Sequence, residues 1–72
     1  METSNGSHPF TNRENDVLHL LALGFTNKDI AMRLNLGKRT VEYHVENIIS
    51  KLDAENRVQA ILQAIKNGWV DV

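Results

Sequence analysis

Three times in 72 residues the chain carries a helix start of the same form. Thr11-Asn12-Arg13-Glu14, Thr26-Asn27-Lys28-Asp29 and Asn56-Arg57-Val58-Gln59 each place a side-chain acceptor three residues before an acid or an amide. The acceptor can take a backbone N–H of the opening turn, and a Glu or Gln at the fourth place can reach back to the first. Asp29 stands where Glu or Gln is usual. Three such starts in so short a chain leave room for helices, tight turns and little else.

The apolar spacing agrees. Val17, Leu18 and Leu21 give one inward face to a helix over 12–23, with Phe10 placed to staple onto it and Gly24 to stop it. Ile30, Ala31 and Leu34 make a short helix over 27–34, closed by Asn35, a residue that tolerates left-handed backbone. Val41, His44/Val45, Ile48 and Leu52 repeat at threes and fours over 38–52. Ala60, Ile61, Ala64 and Ile65 do so over 56–67, before Asn67-Gly68. No strand-like alternation appears, so the expectation is an all-α, four-helix domain over 10–72. Residues 1–9 carry no periodicity and read as a flexible tail closed by Pro9.

A chain of this size buries only about 60% of the surface that it exposes when unfolded, so its stability needs help. Cys is absent, which removes disulfides and thiolate zinc sites together. His8, His19 and His44 share no ligand spacing, so no metal or cofactor is expected. Helix packing and a partner subunit remain. No apolar run approaches a membrane span, and Met1 to Pro9 do not resemble a signal peptide. The lack of Cys fits a cytoplasmic location. No nucleophile–base pair or phosphate loop is visible, which argues against an enzyme.

A short helix, a turn and a longer helix form the arrangement by which many proteins enter DNA. Residues 27–46 fit it closely. Ala31 is small where the two helices would cross, Asn35 makes the turn, and Ile30, Leu34, Leu36 and Val41 set the angle. Lys38, Arg39, Glu42, Tyr43 and Glu46 would then face the major groove, with Asn47 and Ser50 on the same exposed side.

Phe10-Thr11-Asn12-Arg13-Glu14, Val17-Leu18 and Leu20-Leu21-Ala22-Leu23-Gly24 resemble the opening of LuxR-type (GerE/FixJ/NarL) domains. Thr26-Asn27-Lys28-Asp29-Ile30-Ala31, Thr40-Val41-Glu42-Tyr43-His44, Asn47-Ile48, Lys51-Leu52 and Arg57-Val58-Gln59-Ala60 continue the likeness without a gap over about residues 9–68. The resemblance implies a bacterial transcriptional regulator that binds double-stranded promoter DNA, usually as a homodimer, with RNA polymerase as a further partner at the nucleoid. Both a stand-alone regulator and an output domain of a larger sensor fit. The chain departs from the family at two places. Gly37 stands where Ser or Thr usually caps the recognition helix. Glu42 and Glu46 stand where Lys or another basic residue is common.

The expected base contacts are therefore Lys38, Glu42, Tyr43 and Glu46. A carboxylate can accept from the cytosine amino group, and a solvated acidic face is the plainer alternative. Lys28, Arg39, Thr40, Asn47 and Lys51 match positions that commonly touch phosphate in the family. Lys51 could equally pair with Glu55, and Lys38 could relieve Glu42. His44 is expected to be a packed, hydrogen-bonded core residue, and Arg57 a bridge between the third and fourth helices. Leu62, Ile65, Trp69, Val70 and Val72 leave more apolar surface than one small domain can hide. Part of it is expected to pack against the first helix and the rest, with Leu62, Ile65 and Trp69 as candidates, to form a dimer seam along the last.

Eight basic against nine acidic side chains give a formal charge of −1, which argues against strong nonspecific attraction to DNA. Residues 28–57 hold six basic and five acidic side chains, so even the candidate binding region is nearly neutral. A protein-interaction module with the same fold and little DNA affinity is the competing function.

Overall fold

The computed structural model describes residues 9–71 and contains four helices. They are α1 (Asn12–Ala22), α2 (Asn27–Leu34), α3 (Lys38–Lys51) and α4 (Arg57–Lys66). The expected tail, Pro9 apart, and Val72 lie outside the described residues. Helices α1, α3 and α4 stop one residue short of expectation because Leu23, Leu52 and Asn67 serve as their C-caps.

All three expected caps form, but only the first closes in both directions. The Thr11 hydroxyl accepts from the Glu14 amide at 3.1 Å, and the Glu14 carboxylate accepts from the Thr11 amide at 3.2 Å. Thr26 accepts from the Asp29 amide at 3.1 Å and Asn56 from the Gln59 amide at 2.9 Å. Asp29 is one methylene shorter than the Glu or Gln that usually makes the return bond.

The helix stops share one device. Gly24, Asn35, Asp53 and Gly68 adopt left-handed backbone, with φ of 95°, 57°, 52° and 74°. The next residue in each case reaches back over the helix end: Phe25 to the Leu20 carbonyl, Leu36 to Ala31, Ala54 to Ile49 and Trp69 to Ala64, at 2.9–3.1 Å. These are Schellman turns, and the residue after the turn commonly makes an apolar contact. Here Phe25, Leu36, Ala54 and Trp69 all pack against the core. Each stop is thus also an anchor.

Helix α3 packs against all three others. Val41 and Ile48 are fully enclosed and Val45 nearly so, together with Val17, Leu18 and Ile30. Each such burial contributes roughly 1.5–3 kcal/mol. Ala60 and Ala64 let α4 approach closely. Ile65, expected both on the inward face of α4 and among the residues left for a seam, is 39% exposed, while the adjacent Ala64 takes the inward position. Gly68 turns the chain back, and the half-buried Trp69 indole meets the buried Phe10 ring edge-on at 5.5 Å.

Candidate nucleic-acid interface

The turn between α2 and α3 is built from three residues. Asn35 is left-handed, Leu36 points into the core, and Gly37 is extended (φ −70°, ψ 150°). Gly37 offers no side chain to the first turn of α3, so the opening amides of that helix lack a side-chain acceptor. Lys38, Arg39 and Thr40 occupy that turn and are exposed. Free amides and two cations at a helix start favour an anion there.

One turn further along α3 the sign reverses. Tyr43 is 60% exposed, Glu46 is exposed, and Glu42 and Asn47 are half-buried. Arg39, Thr40, Glu42, Tyr43 and Glu46 line one shallow concavity on the outer side of α3. Lys38 does not pair with Glu42; the ion pairs among the described residues are Arg13–Asp16 and Lys51–Glu14. Lys38 lies in the first turn of α3, and its ammonium stays in solvent. The expected reading side is therefore one connected surface, basic at the start of α3 and acidic in its middle. Its orientation is fixed by Val41, Val45 and Ile48 on the opposite face.

Other expected residues lie elsewhere. Lys28 is exposed on the first turn of α2. Lys51 does not pair with Glu55; its ammonium donates to the Glu14 carboxylate and to the Pro9 carbonyl, which brings the end of α3 onto the start of α1. Burial pushes the Glu14 carboxyl up, but the bonds from Lys51 and the Thr11 amide, with the charges of Lys51 and His44, outweigh it and hold the group below its ordinary range. Arg57 bridges α4 to α2 rather than to α3, donating to the Asn27 side chain at 3.0 Å. A second cleft, lined by Asn27, Glu42, Val45, Glu46 and Arg57 among others, runs beside this bridge. His44, expected as a packed, hydrogen-bonded core residue, is only half-buried, and its buried Nδ1 has no hydrogen-bond partner among the described residues. Its ring lies beside Tyr43 at 5.8 Å.

On α4 the outward face carries Val58, Leu62 and Ile65, exposed by 60%, 49% and 39%. Their spacing of four and three makes one stripe. Val58 was missing from the residues expected there, although the same spacing, extended one turn back from Leu62, leads to it.

The family model described as bacterial regulatory proteins, luxR family (GerE) matches residues 8–64. The chain belongs to the luxR family. This luxR-family domain is 43% identical over 65 residues to the transcriptional regulatory protein DegU of Brevibacillus brevis, covering 90% of the chain and 28% of DegU. It is 47% identical over 58 residues to the uncharacterized response regulatory protein YgeK of Escherichia coli (strain K12), covering 81% of the chain and 40% of YgeK. The chain thus spans well under half the length of these curated relatives. Among solved structures, the transcription factor GerE superposes with a TM-score of 0.83 at 33% identity, over 96% of this chain and 97% of GerE. The VqmA–DPO complex from a phage superposes with a TM-score of 0.81 at 39% identity, over 85% of this chain and 28% of that one. The fold is that of GerE, and the family is one of DNA-binding transcriptional regulators, not of enzymes. No helix among the described residues is long and apolar enough to cross a membrane.

Proposed function

We propose that this domain regulates transcription by binding promoter DNA sequence-specifically as a homodimer, with α3 lying in the major groove. One observation carries the reading. Helix α3 keeps its apolar side locked in the core while Lys38, Arg39, Thr40, Tyr43 and Glu46 stand exposed together on the other. A helix of about 10–12 Å diameter fits a groove about 12 Å wide.

The roles divide by position. The start of α3, through Arg39, Thr40 and its uncapped amides, grips phosphate, assisted by Lys28 from α2 and Asn47 further along. Lys38, Glu42, Tyr43 and Glu46 face the base edges. Lys51 serves the fold first, because Glu14 already holds its ammonium. The stripe of Val58, Leu62 and Ile65 on α4 pairs with its copy across a twofold axis, which sets two recognition helices about one DNA turn, or about 34 Å, apart. Trp69, half-buried against Phe10, is the further candidate for this seam. Acting on promoters places the protein in the cytoplasm at the nucleoid, with RNA polymerase as the next partner.

A salt titration on promoter DNA tests the reading. Each phosphate neutralised contributes about −0.9 to the log–log slope of affinity against salt. A slope of about −3 or steeper per domain, with preference for one sequence over others, supports it. A flat slope with no preference favours a protein-interaction module, the reading that the chain's formal charge of −1 and the two glutamates midway along α3 would otherwise suggest.

A further inference from the structure

We propose that Glu42 and Glu46 make this domain a cytosine reader, accepting from the 4-amino groups of two cytosines one or two base-pair steps apart in each half-site. The proposal rests on the major-groove reading above and names the sequence class that this surface selects.

Both carboxylates are uncommitted. Neither forms an ion pair or a side-chain hydrogen bond among the described residues, although they lie one turn apart and repel each other by about 0.2–0.5 kcal/mol. They border the same two surface clefts, beside Tyr43 in one and Arg57 in the other. Lys38 and Arg39, the nearest cations along α3, are not drawn to them. Two unneutralised anions on the face turned toward a polyanion are a liability unless that face meets hydrogen-bond donors.

The major groove offers such donors at two atoms only, cytosine N4 and adenine N6. A carboxylate is acceptor-only. Beside adenine N6 stands N7, itself an acceptor, which repels the second carboxylate oxygen. Cytosine has a C–H on that side of its amino group. Guanine and thymine present carbonyl oxygens and would repel both glutamates. The pair therefore favours cytosine and penalises every other base.

The spacing follows from helix geometry. Four residues advance about 6 Å along α3. Recognition-helix residues three or four apart can reach successive bases in a zinc finger, and an axis along the groove would stretch the interval to about two steps of 3.4 Å. One or two steps bracket the two docking angles.

Selection of bound sites from random duplexes by the whole protein, repeated with Glu42→Gln and Glu46→Gln, tests this. Circular dichroism confirms that each variant keeps its helices. The expected wild-type consensus holds two cytosines one or two steps apart. Each variant should change one of them, and a different one, to adenine, because a carboxamide pairs with N6 and N7 of adenine together. Replacing either cytosine by 2-pyrimidinone, which lacks only the amino group, should weaken the wild type about five- to hundred-fold. An enriched consensus without these cytosines, variants that both keep the wild-type consensus, or indifference to 2-pyrimidinone would overturn the proposal while leaving DNA binding intact. Failure of the wild type to enrich any sequence would remove the DNA-binding reading itself, and this proposal with it.

Discussion

Lys51, in the last turn of α3, donates to the buried carboxylate of Glu14, the same carboxylate that caps the first turn of α1. One side chain thus closes a helix start and receives the end of the recognition helix. The Pro9 carbonyl, at 3.2 Å from the ammonium, completes the junction.

Removing Lys51 leaves the carboxylate buried with a single donor. Lys51→Met keeps an unbranched side chain and deletes the charge. The Lys51 side chain is 36% exposed, so the expected loss is about 1–2 kcal/mol, below that of a fully enclosed pair. Urea unfolding at neutral pH measures it. A variant as stable as the wild type would mean that Glu14 is served by water instead.

The same junction fixes a pH dependence. The Glu14 carboxyl is held below its ordinary range in the folded domain, so the unfolded chain takes up a proton at a higher pH than the native state does. The stability gained is fully present above the unfolded value and is lost as pH falls through the folded one. Thermal unfolding of the wild type should fall through the acid range more steeply than that of Glu14→Gln. Parallel curves for the two proteins would refute the assignment.

The helix starts were legible because capping is local: Thr11, Thr26 and Asn56 each act on a residue three places on. Gly24, Asn35 and Gly68 were legible as stops for the same reason, through their backbone preferences. Asp53 was not, since Asp is far less marked than Gly for left-handed backbone. The bonds that tie one helix to another escaped the sequence altogether. Lys51 has Glu55 four residues away, yet joins Glu14 37 residues away, and Arg57 reaches Asn27 across 30. Local spacing cannot rank such partners, because tertiary packing decides which carboxylate or amide is buried nearby. The exposed side of α3 could be anticipated because Val41, Val45 and Ile48 mark its opposite side as apolar.

Asp53 and Gly24 hold equivalent positions with opposite chemistry, which gives a paired test. Asp53 adopts φ 52° with a side chain present, and Gly24 adopts φ 95° without one. Asp53→Gly should stabilise by about 0.5–1 kcal/mol, and Gly24→Ala should destabilise by about 1–2 kcal/mol. Nothing lies within 4 Å of a methyl at Gly24, so the second loss isolates backbone strain from crowding. Equal stability of the two variants in chemical denaturation would show that the left-handed stops do not limit the fold.

The α4 stripe separates folding from assembly. Leu62 is 49% exposed and stands between Val58 and Ile65, so a charge there meets solvent in the monomer and a second copy in the dimer. Leu62→Glu should leave the melting temperature of dilute protein within a few degrees of the wild type. In sedimentation equilibrium it should remain monomeric at concentrations where the wild type associates. On a two-half-site duplex its affinity should fall at least about ten-fold, while binding to a single half-site stays unchanged, since only the linkage between two recognition helices is lost. Unchanged affinity and stoichiometry on the double site would place the dimer seam elsewhere than on α4.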